Sequence, residues 1–335
     1  MTTSATHGSA SDSLKAARSA SLRFADGSST GILPLVLGGN TFGWTSSEKD
    51  SRAVLDAFAD AGGTLIDTAD MYSSWAPGHS GGESEIILGR WLATSGRRDR
   101  VLVATKVSEH PQYKGLSAGT VAAAADESLL RLGTDRIDLY YAHFDDPSTP
   151  LEETAAAFDA LVKAGKVRAI GLSNYSADRI AEWFRIAREN DLSLPVALEP
   201  HYNLVHRHDF ESALREVARR EDLAVFPYFS LAAGFLTGKY RSARDAEGVD
   251  RAGMVSGFLT PEGFGVVDAL DAVAGRHGVS PATAALAWLR SRPDVAAPIA
   301  SARVPGQLPA LLESATLTLD EEDVAALNRA SQPYA

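Results

Sequence analysis

The chain has 335 residues, 45% of them hydrophobic and 22% charged, with a formal net charge of -11 at pH 7. That length suits one large α/β barrel with a substantial core, and the acidic balance argues against a nucleic-acid or anionic-membrane surface. The absence of cysteine excludes disulfides, thiolate zinc sites and cysteine nucleophiles, and no apolar stretch nears the roughly 20 residues that span a bilayer.

In chain order, the first 20 residues are small, polar and aperiodic and are expected to form a flexible tail. They lack the continuous apolar core of a secretion signal, so a cytoplasmic protein is the default expectation. LRFADGSS (22–29) then carries the Asp-Gly signature of a hairpin turn. From Leu35 onward, short apolar runs alternate with amphipathic segments, which predicts βα units and a parallel sheet. The strands are expected at 35–38, 64–67, 101–105, 137–142, 168–173, 196–199, 223–228 and 296–300. Helical runs fill the gaps at 51–62, 124–133, 154–165 and 280–290, with Gly165 as a C-terminal cap. Eight strands with intervening helices fit one closed (β/α)8 TIM barrel over residues 21–335, with an N-terminal β-hairpin and no second domain. Two longer interruptions, 73–82 and 243–265, are expected to be loops at the mouth, functional ones unless the second is simply disordered.

Three of the expected strands end in LIDTADMYSS (65–74), VLVATKV (101–107) and DLYYAHFDD (138–146). In each an apolar run stops and a polar residue follows. If these strands neighbour one another, Asp67, Tyr72, Lys106 and His143 converge on the C-terminal mouth, where barrel enzymes do their chemistry. The set suits delivery of a proton to a carbonyl oxygen while a hydride attacks the carbon. A phenol titrates near ~10, and an adjacent ammonium such as Lys106 is expected to lower that value. Asp67 would hold the lysine charged, His143 would orient the carbonyl, and Tyr72 would be the general acid. Singly, each has a plainer role: a turn or cap for Asp67, packing for Tyr72, snorkelling for Lys106, a bonded core residue for His143. Together, in strand order, they point to a site.

On LGGNTFGW (37–44), IDTADMY (66–72), ATK (104–106), DLYYAHFDDP (138–147), GKVRAIGLSNYS (165–176) and GFLTGKY (234–240), the chain resembles the aldo-keto reductase family. The resemblance runs from about Leu22 to the C-terminus. It implies a (β/α)8 barrel that binds a nicotinamide cofactor, usually NADPH, and it carries the family's catalytic tetrad onto Asp67, Tyr72, Lys106 and His143. The activity it implies is NAD(P)H-dependent reduction of a small aldehyde or ketone, keto-sugars among them, without a metal.

No G-x-G-x-x-G opens a helix after a strand, which argues against a Rossmann site. Ser173 and Asn174 follow the fifth strand, where they could hold a carboxamide or cap the helix near Ser176. Tyr228 ends the seventh strand, with a ring that could stack on a nicotinamide. The following loop, including Phe229, Ser230, Leu231, Ala233, Gly234, Leu236 and Lys239, offers backbone N–H groups for a pyrophosphate. The resemblance adds Gly39, Asn40 and Thr41 to the cofactor set. It also marks departures. Glu199 stands where the family usually has Gln, bringing a negative charge near the ring, and Ala310 and Leu311 replace a usual Glu-Asn pair. Arg303 is the candidate partner of a 2′-phosphate, favouring NADP over NAD, helped by Ser301, Gln307 and the helix start near Pro305. Trp44, Trp75 and Phe144 are expected to line the substrate pocket. Asp145 and Asp146 either bind sugar-like hydroxyls or begin the next loop. Two other classes are weighed: a cofactor-gripping subunit like the cytoplasmic subunits of potassium channels, and a lyase using Lys106 as a Schiff-base nucleophile.

Overall fold

The computed structural model describes residues 20–248 and 252–335. The N-terminal hairpin pairs β1 (Ala20–Arg23) with β2 (Ser29–Ile32). Gly27 takes φ 82° in its turn, and the Asp26 carboxylate accepts from the backbone N–H and hydroxyl of Ser28. Ala20 is therefore the start of a strand, one residue inside the expected tail; the remainder of that tail lies outside the described residues.

The main sheet uses β3 (Val36–Gly38), β4 (Leu65–Asp67), β5 (Leu102–Val107), β8 (Leu139–Ala142), β9 (Ile170–Ser173), β10 (Ala197–Glu199), β11 (Ala224–Val225) and β12 (Ile299–Ala300). A small antiparallel pair, β6 (Glu109–His110) and β7 (Tyr113–Lys114), interrupts the alternation. The sheet order is β11-β10-β9-β8-β5-β4-β3-β12 and every pairing is parallel. The sheet curls until its edges meet: the Ala296 and Ile299 N–H groups donate to the Val225 and Pro227 carbonyls at 2.9 Å. Seven of these strands fall within an expected segment and are shorter than it, whereas β5 runs two residues past its expected end at 105, to Val107.

Helices return the chain between strands, and their starts follow from sequence. Ser47, Ser117, Ser176, Thr260 and Ser280 each accept a backbone N–H of the first turn of the helix that follows. Gly165 adopts φ 73° just past the helix Leu151–Lys163, the conformation a glycine takes up without a Cβ clash. The described residues of the second expected loop are instead largely helical; 249–251 lie outside them. Short turns at Ala243–Ala246, Ala252–Val255 and Ser256–Phe258 lead into a helix that begins at Pro261.

Two hydrophobic layers result from strand alternation, because successive side chains point to opposite faces. Leu37, Ile66, Val103, Tyr140, Ile170, Leu172, Leu198 and Val225 pack outward with the helices, including Trp91, Trp183 and Trp288. Val36, Leu65, Ala104, Leu139, Ala169, Ala197, Phe226 and Ile299 form a separate inner layer. Leu22, Phe24 and Ile32 of the hairpin segment join that inner layer, so the hairpin packs against the interior of the curled sheet. Two residues further along each strand the inner face reads Gly38, Asp67, Lys106, Tyr141, Gly171, Glu199, Tyr228 and Ser301. The same periodicity that builds the apolar layer therefore delivers a polar layer above it.

Candidate active site

Parallel register brings the polar residues together at one end of the sheet, staggered from strand to strand. Gly38 lies opposite Asp67 and Asp67 opposite Ala104; Lys106 lies opposite Tyr141 and Glu199 opposite Ser173. His143 follows β8, and its N–H donates to the Val107 carbonyl at 2.9 Å. Two glycines allow this crowding. A Cβ on Gly171 would come within 2.4 Å of the Tyr141 ring, and one on Gly38 within 2.5 Å of the Ser301 hydroxyl.

The four residues singled out from sequence meet here. Fully buried Lys106 donates to both Asp67 oxygens at 2.6 and 2.7 Å, to the Thr68 carbonyl at 2.9 Å and to the Tyr72 hydroxyl at 3.0 Å. The Tyr72 hydroxyl also donates to Asp67 Oδ2 at 3.3 Å, and the His143 ring lies edge-on to Tyr72 with centroids 6.3 Å apart. Glu199 Oε1 approaches Lys106 Nζ at 3.4 Å, so one ammonium faces two carboxyl groups.

Electrostatics corrects the expectation that Lys106 lowers the Tyr72 pKa. Burial pushes the phenol up, Asp67 and Glu199 push the same way, and together they outweigh the opposing pull of Lys106. Tyr72 therefore keeps its proton at neutral pH. Burial works against the charge on Lys106, yet Asp67, Glu199 and Tyr72 prevail and raise its pKa. Burial and then the Lys106 charge hold His143 well below its usual value, so its imidazole is neutral. Burial, with Asp67 adding to it, raises Glu199 well above the usual carboxyl range. Burial and the neighbouring Asp67 thus oppose the negative charge expected of Glu199.

A cavity of about 560 Å³ opens onto this cluster. Of the tetrad, Asp67, Tyr72 and His143 line it, and Lys106 lies beneath. Among the residues expected to bind cofactor, Asn40, Thr41, Ser173, Asn174, Glu199, Tyr228, Phe229, Ser230, Leu231, Ala233, Gly234, Lys239, Ser301, Arg303 and Gln307 line it too. Gly39 and Leu236 do not; Leu236 is buried in the outer core, and a Cβ on Gly39 would meet Ser84 and the Asp67 carbonyl. Trp44, Trp75 and Phe144 line the cavity, with Trp75 and Phe144 substantially exposed. Met71, Thr237, Met254 and Ala282 also line it. Sequence reading missed these four because side chains of these types carry no chemical signature.

Several alternatives are decided by contacts. Ser176 caps its own helix, so Ser173 and Asn174 are not caps. The Ser173 hydroxyl donates to the Glu199 carbonyl at 2.9 Å, the Asn174 amide donates to the His143 carbonyl at 2.9 Å, and the Tyr228 hydroxyl donates to Asn174 Oδ1 at 2.8 Å. Asn174 takes φ 55° to do so. The Tyr228 ring is backed by His201, stacked at 5.2 Å. Asp145 is tied to Arg179, and Asp146 accepts from the Leu116 and Ser148 N–H groups and the Ser148 and Thr149 hydroxyls. Both aspartates lie outside the cavity lining and organise their loops, which removes the sugar-hydroxyl reading. Near Arg303, a single 3-10 turn at Pro305–Gln307 precedes a six-residue helix, Leu308–Glu313. So short a helix adds little dipole, contrary to expectation. The Gln307 side chain instead accepts the Arg303 N–H at 2.8 Å, and Ala310 and Leu311 give the wall an apolar surface. Past β11, Phe229, Ala232 and Ala233 all have positive φ. Left-handed non-glycine residues clustered at a cavity mark a backbone shaped for a site.

A family model described as the aldo/keto reductase family matches residues 34–332. Aldo-keto reductase YhdN of Bacillus subtilis is 35% identical over 311 residues, covering 90% of this chain and 89% of that protein. Protein tas of Escherichia coli is 33% identical, covering 92% of this chain and 96% of its own length. A probable voltage-gated potassium channel subunit beta of rice is 32% identical, covering 80% of this chain and 82% of that one.

Proposed function

Because the chain belongs to the aldo/keto reductase family, we propose that it is an NADPH-dependent carbonyl reductase built on a closed (β/α)8 barrel, with Tyr72 as general acid. The observation that carries this reading is the bonded set of Asp67, Lys106 and Tyr72 at the floor of the cavity, with neutral His143 at its side. Nicotinamide cofactor fits the donor set. Ser173, Asn174 and Glu199 supply polar groups for a carboxamide, Tyr228 offers a braced ring face, and the positive-φ loop at 232–234 offers backbone N–H groups for phosphates. Lys239 and Arg303 supply positive charge in the same lining. When bound, the reduced cofactor supplies hydride to the substrate carbon.

The remaining chemistry belongs to the chain. His143, held neutral, donates one N–H toward the substrate oxygen and orients it. Tyr72 passes its proton to that oxygen as negative charge builds there. Lys106, fixed by Asp67, stabilises the phenolate left behind. Trp44, Trp75, Phe144 and Met71 present an aromatic and apolar wall for a small uncharged carbonyl compound. The deep ion pair with Asp67 argues against Lys106 as a Schiff-base nucleophile, since its raised pKa leaves no free amine.

The name of the rice relative keeps a second reading in view, a cofactor-gripping subunit with little turnover. Cofactor-dependent loss of absorbance across a panel of aldehydes, ketones, keto-sugars and quinones separates the two. Tyr72→Phe is expected to retain NADPH binding while reduction falls by at least ~10²-fold. Near-normal turnover of that variant would remove Tyr72 as the proton donor. No turnover by the unmodified protein with any carbonyl would favour the subunit reading.

A further inference from the structure

Glu199 ends β10 with its side chain buried against the cavity. Its Oε1 lies 3.4 Å from Lys106 Nζ, and among the described residues its buried Oε2 has no hydrogen-bond partner. The charged and titratable groups around it come from every neighbouring element: Asp67 from β4, Tyr72 from the turn after it, Lys106 from β5, Tyr141 from β8 and Tyr228 from the segment after β11. Only one of these groups is cationic, and Asp67 engages it at 2.6 Å. The cluster is thus electrically balanced only while Glu199 holds a proton, and an ionised Glu199 needs a second positive charge in the cavity.

We propose that Glu199 couples the choice between oxidised and reduced nicotinamide to pH: its carboxyl releases a proton to solvent when the cationic oxidised ring is bound and keeps it with the neutral reduced ring. The inference rests on the cofactor reading above and adds which redox form the site holds. The oxidised ring supplies the missing positive charge, so the carboxylate becomes stable. The reduced ring supplies none, so the carboxyl stays neutral and bonds as an amide side chain would. Proton release means that affinity for the oxidised form rises with pH while affinity for the reduced form does not.

Trp44 and Trp75 line the cavity, so tryptophan quenching reads binding without a substrate. NADP+ and NADPH are titrated separately from acidic to alkaline pH, and calorimetry in buffers of different ionisation enthalpy counts the protons released. The expected result is that the Kd ratio of NADP+ to NADPH falls by up to about tenfold per pH unit, with close to one extra proton released by NADP+. Glu199→Gln should bind both forms and lose the pH dependence and the extra proton, while Tyr72→Phe should keep both. Release that survives Glu199→Gln and disappears in Tyr72→Phe would make the phenol the source and overturn the proposal. A ratio independent of pH in the unmodified protein would overturn it while leaving the cofactor reading intact. Failure of either cofactor to bind would remove both. Should Glu199→Gln fail to fold, the Tyr72→Phe comparison decides alone, since loss of release there is decisive against Glu199 and its survival supports it.

Discussion

Tyr72 shows how much a residue's chemistry depends on its neighbours. Read along the chain, a lysine near a tyrosine argues for a more acidic phenol. In the folded protein, burial and two carboxyl groups outweigh that lysine, and the phenol holds its proton more firmly than in water. This suits the proposed role of donor, which must arrive protonated, with Lys106 placed to stabilise the phenolate that proton loss would leave. Arg303 is a different kind of case, because its role depends on charge alone. If it pairs with a 2′-phosphate, Arg303→Ala should weaken NADPH binding about ten- to a hundredfold and leave NADH nearly untouched, since a bond between charged groups contributes ~1.5–3 kcal/mol. The loss should be larger at low salt, because a part-exposed pair is screened by ions. Fluorescence titration with both cofactors is the check, and equal losses would assign Arg303 to loop support.

At the scale of elements, the β1–β2 hairpin has a testable mechanical role. Phe24 is buried in the inner layer, the Arg168 guanidinium sits 3.6 Å from its ring centroid, and the neighbouring Ala25 N–H donates to the Arg168 carbonyl at 2.9 Å. The hairpin thereby closes the end of the curled sheet opposite the Asp67–Lys106–Tyr72 cluster. Phe24→Ala should lower stability by about 3–5 kcal/mol, the usual cost of removing a buried phenylalanine, and urea unfolding measures it. The cluster is at the far end of the strands, so cofactor affinity should change little. A stability change near zero would mean that the hairpin is only loosely docked.

The whole molecule holds buried acids that sequence gave no reason to suspect, and these make stability depend on pH. Asp70 is fully buried; desolvation and the nearby Glu85 raise its pKa well above 3.8, only partly offset by Arg131. Arg131 is already committed to Glu85 at 2.6 Å. Because the folded-state pKa is raised, the folded protein retains a proton that the unfolded chain has lost. Stability from this group is therefore fully present below the unfolded value and declines as pH rises toward the folded one. Asp70→Asn keeps the shape without the charge, so it should unfold at higher urea concentration at neutral pH, with the gap narrowing on acidification. An unchanged midpoint at neutral pH would show that the carboxyl carries no such penalty.

The sequence by itself determined the strand segments to within a few residues, the glycine at Gly165 that follows its helix, and which four polar residues meet at one end of the sheet. These depend on local physics: alternation of apolar residues, the freedom of a glycine such as Gly165 to take a positive φ, and polar residues placed just where apolar runs stop. A period of two puts Asp67 above Leu65 and Lys106 above Ala104 whatever the rest of the chain does, so convergence needed only the sheet order. The tertiary structure decided what depends on several elements at once. Burial by residues distant in sequence set the protonation of Tyr72, His143 and Glu199. Contacts across loops turned Asp145 and Asp146 into braces and gave Ser173 and Asn174 to the cavity in place of the helix cap. Met71 and Met254 entered the wall for a similar reason, since an apolar side chain becomes part of a site only through what it faces.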